Sequence, residues 1–111
     1  MFRLAVIVGI AALLAACARP TEEPGTGPLK VSERVAVAFE KYKQEAIPVA
    51  FAVSVDGKAY NYFFCPGRPC DTKRANLKAL NGCERSSQGV ACRLLARGKE
   101  IVWNGPVEGL K

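Results

Sequence analysis

Four cysteines, Cys65, Cys70, Cys83 and Cys92, crowd the second half of a 111-residue chain, and their oxidation state constrains the fold more than any other feature. Paired sulfurs persist outside the cytosol, whereas inside it the same residues stay thiols. The other end of the chain identifies the compartment. Met1-Phe2-Arg3 supplies a short positive start, and Leu4 to Ala16 form an apolar run that is followed by a polar, Pro-rich stretch. A membrane span needs about 20 apolar residues, so this run reads as a secretory signal, and residues 1–16 are set aside from fold reasoning. The chain is then exported, and an even set of cysteines in an exported chain reads as a disulfide framework. Spacing agrees: C-x4-C and C-x8-C are not the paired C-x-x-C knuckles of a zinc site, nor the C-x-x-C of a thiol-redox centre. The sequence contains no histidine, which removes the commonest metal ligand and the usual base for a cysteine nucleophile.

The fifth cysteine has a different setting. Leu14-Ala15-Ala16-Cys17 resembles the lipobox of bacterial lipoproteins, an aliphatic residue and two small ones before the cysteine that is lipidated. The resemblance implies a diacylglyceryl group on Cys17, cleavage just before it and acylation of the freed amine, typically with palmitate. Several acyl chains anchor a protein stably, since each buried CH₂ contributes about 0.8 kcal/mol. In that family an aspartate after the cysteine favours retention at the inner membrane, so Ala18 points to the outer membrane, facing the periplasm. The competing expectation is ordinary cleavage after Ala18, because Ala16-Cys17-Ala18 also fits the A-x-A pattern and would release a soluble protein.

Residues 18–28, "ARPTEEPGTGP", are rich in Pro, Gly and Thr and read with Cys17 as a flexible tether that, fully extended, reaches about 36 Å. Residues 29–111 remain as one domain, small enough that a hydrophobic core alone leaves stability marginal. Two disulfides closing short loops would each add about 2–3 kcal/mol.

Within that domain Val31, Val35, Ala38, Phe39, Tyr42 and Ala46 recur at helical spacing, with Ser32 near the start and Pro48 ending the run. The mixed charges of Glu33, Arg34, Glu40, Lys41 and Lys43 fit a helix packed on the domain better than one lying on a membrane. Next, "VAFAVSVDGKAYNYFF" reads as two strands around Asp56-Gly57, a two-residue type I′ turn pairing Val55 with Lys58, Val53 with Tyr60 and Phe51 with Tyr62. One face carries Phe51, Val53, Val55, Tyr60 and Tyr62. Such aromatics could form a stacking platform, but a small domain needs most of its large side chains inside, so they are assigned to the core.

After Cys65 a stiff Pro-Gly-Arg-Pro loop brings Cys70 back, and Asp71 stands where a helix N-cap belongs. The helix that follows puts Ala75, Ala79, Leu80 and Cys83 on one side and Arg74, Lys78, Asn81 and Arg85 on the other. A second hairpin around Gly98 is expected to place Cys92, Leu94, Ala96, Ile101 and Trp103 on one face. Cys83 on an apolar helix side and Cys92 on an apolar strand face make Cys65–Cys70 plus Cys83–Cys92 the preferred connectivity of the three possible.

Ala50-Phe51-Ala52, Asp56-Gly57, Ala79-Leu80, Cys83, Cys92, Leu94, Ala96 and Val102-Trp103 together are similar to a short disulfide-containing module of bacterial periplasmic or secreted proteins. That resemblance covers roughly the C-terminal half, supports the Cys83–Cys92 pair and implies no catalytic residue. The fold expected is α+β: a leading helix, then β-hairpin, helix and β-hairpin, giving a four-stranded antiparallel sheet with helix on one face.

Function follows as an expectation by elimination. Without histidine, and with scattered carboxylates of which Asp56 and Asp71 already serve a turn and a cap, no catalytic constellation is visible, and neither metal nor cofactor is expected. The formal net charge is +6, and from Gly57 to Lys111 ten Lys/Arg stand against four Asp/Glu. Export removes nucleic acid as a partner. A non-catalytic envelope protein, anchored to the membrane and binding a protein or an anionic envelope polymer through Arg74, Lys78 and Arg85, is the expected role; a periplasmic thiol-redox protein using Cys65 and Cys70 is the alternative.

Overall fold

The computed structural model describes residues 22–110; the expected signal segment, residues 1–16, together with Cys17 and residues 18–21, lies outside the described residues. Its elements are β1 (Leu29–Lys30), α1 (Glu33–Lys43), β2 (Ile47–Ser54), β3 (Tyr60–Cys65), α2 (Thr72–Ser86), β4 (Cys92–Arg97), β5 (Glu100–Ile101) and β6 (Val107–Glu108). The fold is α+β, with a four-stranded antiparallel sheet of order β3-β2-β4-β5.

The α1 helix starts where Ser32 accepts the Val35 N–H, with Glu33 in the first turn and Lys41 and Lys43 in the last, charges that suit the helix dipole at both ends. It buries Val35, Ala36, Ala38, Phe39 and Tyr42. It ends at Lys43 rather than running to Pro48, which instead lies in β2 beside a break in the β2–β3 register, a position that tolerates a missing N–H. Tyr42 is fully buried, and its hydroxyl donates to the Gly98 carbonyl at 2.6 Å, tying α1 to the turn between β4 and β5. Tyr42→Phe should lower stability by about 1 kcal/mol, read as a shift of the urea midpoint at unchanged slope.

The first hairpin has the expected register of Phe51 with Tyr62 and Val53 with Tyr60, but its turn is longer than expected. Ser54 N–H donates to the Ala59 carbonyl, leaving residues 55–58 in the loop, and Gly57 takes φ +76° while Asp56 does not adopt positive φ as a type I′ turn requires. Polar groups hold this longer turn. The Ser54 hydroxyl donates to Asp56 Oδ1 at 2.6 Å and accepts the Lys58 and Ala59 N–H groups. Val55 is drawn off towards the chain entering β4 by its N–H bond to the Ala91 carbonyl, so it does not pair with Lys58. Gly57 also has no room for a Cβ, which would meet the Lys30 carbonyl.

Both faces of the sheet are covered. On one, α2 packs Ala79, Leu80 and Cys83 against Ala50, Ala52, Cys92 and Leu94; on the other, α1 packs Val35, Phe39 and Tyr42 against Phe51 and Val53. The helix expected on one face is thus α2, and the leading helix takes the opposite one. The expected single face for Cys92, Leu94, Ala96, Ile101 and Trp103 does not survive. Phe51 pairs with Ala96 but Ala52 pairs with Leu94, so Leu95 is an extra residue, and beyond this bulge the alternation reverses. Cys92 and Leu94 therefore join the α2 side, Leu95, Ala96 and Trp103 the α1 side, and Ile101 is exposed.

Residues 22–28, assigned to the tether by composition, are part of the folded body. Gly25 bonds through its N–H to Leu94 and through its carbonyl to Asn104, and Gly27 N–H donates to the Asn104 carbonyl. Trp103 donates its indole N–H to the Gly27 carbonyl at 2.7 Å, and its ring lies where a Cβ on Gly25 would be. The glycines that signalled a tether are what allow this close approach. From there β1 pairs in parallel with β6, Leu29 opposite Val107 and Lys30 opposite Glu108.

Disulfides join Cys65 to Cys70 and Cys83 to Cys92, with Cα–Cα separations of 6.0 and 6.1 Å, the connectivity preferred from the sequence. The first links the end of β3 to the residue before the α2 cap; the second locks α2 to β4.

Candidate functional site

The cationic face of α2 is built from its cap outward. Asp71 accepts the N–H groups of Lys73 and Arg74, fixing the first turn directly after Cys70. With Ala75, Ala79, Leu80 and Cys83 buried against the sheet, the helical period leaves Arg74, Lys78, Asn81 and Arg85 exposed, as their spacing predicts. The helix sits close to β3 because Gly82 leaves room for the Asn61 side chain, whose amide donates to the Lys78 carbonyl at 3.3 Å. Lys78 lays its ammonium over the Phe63 ring at 5.4 Å.

A second candidate lies on the opposite face. Where α1 runs beside β3, Glu33, Arg34, Val37, Ala38 and Lys41 face Tyr60 and Tyr62 across an open groove of about 560 Å³. Phe51 is fully buried behind them and stacks on both tyrosines, at 5.6 and 5.7 Å between ring centroids. The aromatics assigned to the core are thus divided: Phe51 fills it, while Tyr60 and Tyr62 are half-buried and floor the groove. The Arg34 guanidinium sits 5.4 Å from the Tyr60 ring. Tyr62 donates to Glu45 Oε2 at 3.4 Å; burial first, and then the neighbouring Glu45 charge, hold its phenol above the ordinary value. Burial pushes the Tyr42 phenol up as well. At the turn, the Ser54 hydroxyl and then the Lys58 N–H hold Asp56 below the usual carboxylate range, so that turn contributes at neutral pH and weakens as the pH falls through the lowered value.

One face presents an exposed row of cations, the other half-buried aromatic rings beside charges of both signs. Among the described residues no group of three or more His, Cys, Asp or Glu side chains comes together as a metal site would require, and no helix is long and apolar enough to cross a membrane. All four described cysteines are in disulfides; the Cys65 end of its bridge is buried and the Cys70 end exposed. The groove was missed in the sequence because it needs α1 beside β3, a long-range placement; its one local signal was that Tyr60 and Tyr62 share a face with Phe51. Compared with known protein families, curated proteins and solved structures, the chain matches none.

Proposed function

We propose that the chain is a lipid-anchored envelope protein that binds a partner rather than converting a substrate. The lipid is carried on Cys17, residues 18–21 link it to the domain, and the outer membrane facing the periplasm is its location. The two disulfides support an oxidising compartment, and the lipobox-like Leu14-Ala15-Ala16-Cys17 supports the anchor. One observation carries the binding role: Arg74, Lys78 and Arg85 stand exposed on one helix, which is tied to the sheet by the Cys83–Cys92 bridge and capped directly after Cys70. Such a fixed cationic row suits an anionic envelope polymer, a lipopolysaccharide phosphate or a peptidoglycan carboxylate.

Replacing Arg74, Lys78 and Arg85 together with glutamine should leave the fold and both disulfides in place. Exposed charge contacts contribute about 0.5–1 kcal/mol each, so the triple variant should lose roughly 10- to 100-fold in co-sedimentation with purified envelope polymer. Wild-type binding should also fall steeply with salt. Equal co-sedimentation of variant and wild type would reduce the row to a solvated helix face.

A second reading rests on the exposed Cys70 end of the Cys65–Cys70 bridge, which a reductant can reach: a periplasmic thiol-redox protein. Alkylation of protein trapped in the periplasm separates the two. The binding role expects no free thiol in the domain, the redox role two exchangeable ones.

A further inference from the structure

The β3 strand ends the sheet, and among the described residues nothing pairs with its outer edge. From the Ser54–Ala59 hydrogen bond the ladder alternates, so Asn61 turns its backbone groups to β2 while Tyr60 and Tyr62 turn theirs outward. Exposed edges are normally blunted by shortness, charge, proline or a bulge. The opposite edge, β5, is only two residues long and carries Glu100. By contrast β3 has six residues, "YNYFFC", with neither charge nor proline, and Phe64 stands 36% exposed on it. An uncharged edge of this length offers its outward backbone groups for another strand to pair.

The groove above that edge indicates by what. Along α1, Glu33, Val37 and Lys41 recur at i, i+4 and i+8, with Glu33 and Lys41 lining the groove at either side of Val37, which is 44% exposed. A two-fold axis near Val37 therefore sets the Glu33 of each copy towards the Lys41 of the other, and the pattern complements itself. The strand obeys the same axis. Arg34 lies over Tyr60 and Tyr42 against Tyr62, so α1 and β3 run in the same direction and their midpoints, near Val37–Ala38 and Asn61, lie level. A rotation about that axis makes two β3 strands antiparallel and two α1 helices antiparallel at once.

We propose that two copies of this chain associate through β3, Tyr60 of each opposite Tyr62 of the other, joining two four-stranded sheets into one of eight strands with the α1 helices facing each other across the axis. The groove that meets its copy at the axis is on the α1 side of the sheet; α2 covers the other side of the same strand, where Lys78 lies over Phe63 and accepts from Asn61 through its carbonyl, and the association is tested without any polymer bound there.

The test uses the full chain in producing cells. Two copies with different affinity tags should co-purify from detergent extracts. Val37→Arg sets two like charges together at the axis without disturbing a buried residue and should lower recovery at least about tenfold. Glu33→Lys and Lys41→Glu should each weaken association, and the two combined should restore it, an outcome that general loss of folding would not give. Benzoylphenylalanine in place of Phe64 should cross-link to the stretch around Lys58 of the second copy. Within one chain those two positions are roughly 20 Å apart along β3, so that product arises only between copies. Failure of the tagged copies to co-purify, no rescue in the double variant, or cross-links from position 64 only to another protein would each overturn the proposal.

Discussion

Replacing Cys83 and Cys92 together with alanine is expected to leave a domain that is largely unfolded at 37 °C. Closing the short loop between them contributes about 2–3 kcal/mol through the unfolded chain. Both residues are fully buried in the cluster that α2 makes with β2 and β4, so their truncation also removes packing from the centre of that layer. A domain of this size has only several kcal/mol in reserve, and the two losses together approach it. Thermal unfolding by circular dichroism would read the effect. The paired change of Cys65 and Cys70 should cost less, because Cys70 is exposed and the buried Cys65 belongs to neither core cluster, whereas Cys83 and Cys92 sit together in one. A Cys83→Ala, Cys92→Ala variant melting within about 3 °C of wild type would mean that the α2–β4 lock contributes little to the fold.

An equally large effect, in location rather than stability, is expected from Cys17→Ser. Several acyl chains make membrane attachment nearly permanent. Without the thiol no lipid is attached, and the protein should pass almost wholly from the membrane fraction into the soluble fraction, with both disulfides intact. Wild-type protein already soluble without detergent would contradict the anchor.

How much of this could be read beforehand divides by range. The Phe51–Tyr62 register, the Asp71 cap, the cationic side of α2 and both disulfides rest on residues near one another in the chain, where periodicity, turn chemistry and cysteine spacing act. The turn at Asp56-Gly57 is longer than its two-residue pattern implies because the Ser54 hydroxyl, bonding Asp56, Lys58 and Ala59, competes with that pattern. The bulge at Leu95 has no mark of its own in "CRLLAR", and by inserting one residue it moved Ala96 and Trp103 to the other side of the sheet. Residues 22–28 misled for another reason. Pro and Gly indicate few side chains to bury, but backbone groups alone suffice to dock Gly25 and Gly27 beside Asn104 and Trp103. The aromatic groove, like the β1–β6 pairing, depends on which distant segments meet, and no local pattern encodes that.

The proposed role requires that this disulfide-framed domain works while tethered to a membrane through Cys17. Intact-mass and N-terminal peptide analysis of protein extracted from the membrane fraction tests that most directly. The expected result is a mature chain beginning at Cys17, heavier than its sequence mass by a diacylglyceryl group and an amine-linked fatty acid, and lighter by the four hydrogens lost in the Cys65–Cys70 and Cys83–Cys92 bridges. A chain beginning at Arg19, or one that retains residues 1–16 with an unmodified Cys17, would contradict it.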